Sequence, residues 1–104
     1  EGEPPAVDEQ FFRAAENGDG KLFEQLLPHI TDLNWRGIRG RTPLLAASRH
    51  GHTESVSRLL QLRADPNTAN DAGVSPLMVA ASAGHAKCVE QLLRNGASLC
   101  LRDE

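Results

Sequence analysis

Two histidines stand one residue apart in His50-Gly51-His52, close enough in sequence for their imidazoles to share a metal ion. A zinc site needs about four N, S or O ligands, and neither a cysteine nor a carboxylate lies at ligand spacing from this pair. Glu16, Asp19 and Glu24 are the carboxylates that acid–base chemistry would draw on. No nucleophile motif accompanies them, and they read as solvated surface. No Gly-rich phosphate loop follows a strand. Catalysis is therefore not expected, nor is a cofactor. Cys88 and Cys100 read as free thiols of a reducing compartment rather than a staple. What the chain does concentrate is arginine. Arg36, Arg39 and Arg41 lie within Asn34–Arg41, beside Ile38 and the single tryptophan, Trp35, and Arg49 and His50 follow shortly after. Guanidinium forks recognise carboxylates and phosphates, and Trp supplies buried contact area. Residues 35–67 hold six Arg and two acids, a balance of +4 in a chain whose total is −3. A basic middle lies between acidic flanks.

These side chains need elements to carry them, and the first is visible in "GRTPLLAASRHGH", Gly40 to His52. Thr42 before Pro43 is a helix start: threonine caps a free N–H, and proline in the first turn loses no hydrogen bond. Gly51 is a helix stop, because glycine accepts the left-handed backbone that ends many helices. The result is a helix of about two turns, which is marginal in isolation. It must be one piece of a repeat.

The repeat stands 33 residues on, in "GVSPLMVAASAGH", Gly73 to His85. Sliding 34–66 onto 67–99 without a gap gives 11 identities, among them Pro43/Pro76, Ala47/Ala80, Gly51/Gly84, His52/His85 and Leu59/Leu92. Average composition gives roughly two by chance. One shift earlier, Ala14, Gly18, Phe23, Leu26 and Leu27 fall on Ala47, Gly51, Val56, Leu59 and Leu60. There are three units. First helices are expected at about 9–16, 43–50 and 76–83, and second helices at about 20–28, 53–61 and 86–94. Leu22, Phe23, Leu26 and Leu27 share one face of a second helix, as do Val56, Leu59 and Leu60, and Val89, Leu92 and Leu93. Stacking is what covers that face. An aromatic content of 4%, with no Tyr, suits closely stacked short helices.

This period and pattern resemble the ankyrin repeat. The resemblance covers about residues 8–104 and rests on Gly40, Thr42, Pro43, Leu44, Ala47, Gly51, His52 and Val56 in the second unit, with the matching series from Gly73 to Ala97 in the third. It implies an all-α solenoid of helix-turn-helix units with projecting β-hairpin loops. Units are expected at about 8–36, 37–69 and 70–102, after an acidic, Pro-containing linker at 1–7. A further unit would begin at 103–104, as in a piece of a larger protein. The chain departs from the pattern at several points. Leu45 and Met78 replace the motif histidine. Ile30 and Arg63 replace a glycine expected at a left-handed corner. The first unit reads "VDEQFFRAAENGD", with Asp8 as a cap and Phe11 and Phe12 in place of leucines, as suits a terminal unit.

The resemblance implies a non-catalytic module that binds a protein or peptide through a concave groove and its hairpin tips, in an intracellular setting. On this chain the groove residues would be Trp35, Arg36, Ile38, Arg39, Arg41, Arg49 and His50, with Trp35 able either to face the groove or to tuck inward. The arginines point to an acidic or phosphorylated partner. The alternative is an architectural segment bracing neighbouring domains. Nucleic acid is disfavoured by the net charge of −3, since phosphate binding needs a broad basic footprint. No apolar run approaches the ~20 residues of a membrane span. The open face of the last unit could pair with a second copy.

Overall fold

The computed structural model describes residues 7–30 and 32–97, the Ile38 side chain excepted. Six α-helices follow one another as three pairs: α1 (Val7–Asn17) with α2 (Gly20–Leu26), α3 (Pro43–His50) with α4 (Thr53–Gln61), and α5 (Pro76–Ser82) with α6 (Ala86–Arg94). The expected helices and the observed ones agree to within a residue or two, the margin at which helix ends are ordinarily defined. Short 3-10 turns at Leu27–His29 and Ile38–Gly40 complete the described elements.

The helix starts are built as the sequence specifies. The Leu45 N–H donates to Thr42 Oγ1 at 3.1 Å, and the Met78 N–H donates to Ser75 Oγ at 3.2 Å. Pro43 and Pro76 occupy the first turns. In the first unit Asp8 lies inside the opening turn of α1, which begins at Val7, so it is not the residue before the helix. The side chain that caps in this unit is Asp19, accepting from the Leu22 N–H at the start of α2.

First helices pack in a row, α1 on α3 and α3 on α5, while α4 packs on α6 behind them. Ala14, Ala47 and Ala80 stand at equivalent, fully buried points of that row. Their small side chains let the helices approach. Phe11, Phe23, Leu44, Val56, Leu59, Leu77 and Leu92 fill the space between the rows, each contributing about 1.5–3 kcal/mol by burial. The Phe11 and Phe23 rings meet at 4.5 Å.

Neighbouring units are also tied by polar bonds of matching register. His52 Nε2 donates to the Glu16 carbonyl at 2.8 Å, and His85 Nε2 donates to the Arg49 carbonyl at 3.1 Å. A carbonyl only accepts, so each ring carries its proton on Nε2. The tie explains Gly51 beyond its left-handed φ of 72°. A Cβ there would stand 2.6 Å from His85 Nδ1. On the outer side Arg58 Nε donates to Glu24 at 2.7 Å, which raises the guanidinium pKa above its ordinary value.

Two expectations need amending. The hairpins carry no strand among the described residues. Each is a turn closed by backbone bonds, Gly37 to Arg41 and Gly40 to Gly37 in one, Asn70 to Val74 and Gly73 to Asn70 in the other. Arg63 does take the left-handed corner, with φ 74°. Ile30 avoids it: α2 tightens into the Leu27–His29 turn and Ile30 is extended at φ −75°. The linker, Cys100 and the start of a further unit lie outside the described residues.

Candidate functional site

The hairpins and the first helices meet along one side of the stack, where residues of both line open depressions. Two open clefts lie there, one repeat apart. The first, about 640 Å³, has Phe12 and Trp35 as its aromatic wall and runs to Arg41. The second, about 330 Å³, has Leu45, Val74, Met78 and Val79 as its floor and Arg41 and Arg49 at its sides. Arg41 lines both.

The sequence-predicted residues separate into committed and uncommitted groups. Trp35 is half-buried. Its ring meets the Phe12 ring edge-on at 6.0 Å and leaves no room for a side chain at position 37. It therefore shapes a wall rather than projecting. Arg36 bridges the two hairpins. Its Nε donates to the Gly40 carbonyl at 3.2 Å, and its Nη2 donates to the Ala69 carbonyl at 3.1 Å and to Asp71 Oδ1 at 3.2 Å. The Asp71 N–H returns a bond to the Arg39 carbonyl at 2.9 Å. Gly40 makes this clasp possible: a Cβ there would stand 2.4 Å from Asp71 Oδ1. Arg36 is thus an internal strut. His50 Nε2 lies 3.9 Å from Glu16 Oε2, and its ring stacks on His52 at 5.9 Å. With His52 Nε2 on a carbonyl, this pair serves the interface between units.

Arg39, Arg41 and Arg49 have no ion-pair partner among the described residues. Arg39 is exposed at the tip and holds a left-handed φ of 62°, a conformation that costs a non-glycine residue of order 1 kcal/mol. Arg49 is exposed near the end of α3, and its carbonyl accepts from His85 while its guanidinium has no partner among the described residues. The side chain of Ile38 lies outside the described residues.

The clefts differ in charge. Around the first, Glu9 pairs with Arg13 at 2.9 Å, Glu16 faces His50 and Arg36 is held by Asp71. Arg41 is the cation of this cleft that no acid pairs with among the described residues. Among the described residues lining the second, none is acidic. An apolar floor with two free guanidinium groups suits a ligand that carries carboxylate on an apolar scaffold.

Sequence reasoning missed Phe12 and Met78 as groove residues. Phe12 reads in the sequence together with Phe11 beside it, but only Phe11 is fully buried, and Phe12 turns toward Trp35. Met78 stands where the family pattern has a histidine. That departure was the available signal, and Met78 is 39% exposed.

No three His, Cys, Asp or Glu side chains come together to hold a metal among the described residues, and no helix there is long and apolar enough to cross a membrane. The family model for ankyrin repeats, in three copies, matches residues 11–103. No curated protein matches the chain in sequence. Paired helices in three stacked units, Thr-Pro and Ser-Pro starts, histidine ties between neighbours and this match over most of the length agree: the chain belongs to the ankyrin-repeat family, whose members generally serve as protein–protein interaction modules and are typically non-catalytic.

Proposed function

We propose that this chain is a non-catalytic interaction module that binds an acidic protein segment along its concave groove. The observation that carries the reading is the second cleft, where Arg41 and Arg49 flank an apolar floor with no acid among the lining residues described. The stacked helices hold that groove in shape before a partner arrives, so little ordering entropy opposes binding on this side. An intracellular setting belongs to the same reading, supported by Cys88 as a buried free thiol.

The test is selection of binders from a random displayed-peptide library, followed by titration of a selected peptide against the parent chain, Arg41→Glu and Arg49→Glu. Selected peptides should be enriched in Asp and Glu. Each reversal should weaken binding by roughly tenfold, corresponding to about 1.4 kcal/mol, and more at low salt than at high salt. Neutral or basic selected peptides, or acidic ones indifferent to both reversals, would sink the proposal and favour the architectural alternative.

A further inference from the structure

We infer that the groove reads a two-part signal: an apolar, preferably aromatic, side chain in the first cleft and a carboxylate in the second, about three residues away on an extended peptide. The inference rests on the interaction-module reading and specifies its partner.

The assignment of the two ends follows from charge. A carboxylate entering the first cleft would meet Glu9 and Glu16; of the cations lining it, Arg13 is paired with Glu9 and Arg36 with Asp71, so Arg41 alone would offset the repulsion. An apolar ring entering it would meet the Phe12–Trp35 wall. In the second cleft a carboxylate meets Arg41 and Arg49 with no opposing acid among the described lining residues. The reverse orientation would set the carboxylate beside Glu9 and Glu16 and leave the Arg41–Arg49 pair without an acid.

The spacing follows from the fold. The first cleft lies between α1 and the hairpin that leads into α3, and the second between α3 and α5, so the two are offset by about one step along the row of first helices, which pack directly on one another. Packed helices lie about 8–10 Å apart. An extended chain advances about 3.3 Å per residue, so about three residues span the step. Arg41, shared by both clefts, lies beside the connecting backbone, where its guanidinium can donate to a peptide carbonyl as well as to the acid.

The cations are spread rather than focused. Arg39 is at the tip, Arg41 between the clefts and Arg49 at the end of α3. A single phosphoryl group would use a convergent cluster. Carboxylates along a peptide use a row, and the proposal commits to carboxylates.

The chain holds one Trp and one Met, and they line different clefts. The Trp35 indole N–H and the Met78 methyl are therefore separate NMR reporters. Synthetic Gly/Ser peptides carrying one Trp and a Glu pair are titrated in three spacings: adjacent, about three residues apart, and twice that. Each order along the chain is tested. The middle spacing should move both reporters along one isotherm and bind roughly tenfold more tightly than either control. Arg49→Glu, whose backbone tie to His85 is retained, should lose that advantage and prefer the peptide with Lys in place of Glu.

Equal binding at all three spacings, with only Met78 moving, would overturn the two-part signal while leaving an acidic groove intact. A phosphoserine peptide roughly tenfold tighter than its Glu counterpart would overturn the carboxylate assignment. Binding of the Lys peptide to the parent chain as tight as the Glu peptide would overturn the charge argument and the underlying reading together.

Discussion

Thr42 and Ser75 hold the same post one repeat apart, and each is buried with its hydroxyl spent on a helix N–H. Replacing either by alanine strands that N–H and should cost about 1 kcal/mol, or about 4–8 °C in melting temperature for a domain of this size. Calorimetric scans of Thr42→Ala and Ser75→Ala check this, and unchanged melting would mean that the caps contribute nothing. Ser48 gives the opposite sign. Its hydroxyl is fully buried without a hydrogen-bond partner among the described residues, and the equivalent position one repeat on is Ala81. Ser48→Ala should stabilise the chain by about 1 kcal/mol, because an unsatisfied buried hydroxyl is removed. A lower melting temperature for this variant would show that the hydroxyl has a partner after all.

Element by element, the structure distinguishes an inner row built for approach from an outer row built for cover. Small alanines do the first, and Leu, Val and Cys88 do the second. Cys88, on α6, is fully buried, with Thr53 Oγ1 of α4 at 3.9 Å from its sulfur. Burial pushes the thiol pKa up, partly offset by the Thr53 contact. The folded state therefore holds the proton more tightly than the unfolded state. The associated stability is complete below the ordinary thiol pKa and is lost as pH rises through the folded value. In denaturant titrations the parent chain should lose stability at alkaline pH faster than Cys88→Ala. Alkylation of Cys88, followed by peptide mass spectrometry, should proceed far more slowly in the folded chain than in denaturant, because the thiolate is the reactive form. Equal rates in both conditions would contradict the burial.

For the molecule as a whole, stability is a sum of modest units and the interfaces between them. Helix α3 packs on both α1 and α5, whereas α5 packs on α3 and its own partner α6. Leu93 on α6 is 44% exposed. Hydrogen exchange should accordingly show α3 as the most protected first helix, with α5 exchanging roughly tenfold or more faster. Equal protection in a chain that light scattering reports as a monomer would refute this. Pairing of two copies through the Leu93 side of α6 would instead raise the mass and the protection together.

The 33-residue spacing of Pro, Ala, Gly and His determined the units, the helix starts and the stacking, because each of those residues acts through local backbone geometry that recurs with the chain. Even Arg63 could be placed at a left-handed corner from its register alone, although Ile30 escaped the same reading when Pro28 and a 3-10 turn offered another route. The hairpin arginines were visible as a cluster, but their division was not. Whether an arginine is a strut or a free cation depends on what the next repeat places opposite it. Asp71, 35 residues on from Arg36, claims that guanidinium, while Arg39, Arg41 and Arg49 have no ion-pair partner among the described residues. Trp35 was likewise ambiguous until Phe12, on α1 and distant in sequence, supplied its neighbour. Local geometry is written in short-range spacing; the pairing of long side chains across units is decided only when stacking brings distant positions within a few ångströms.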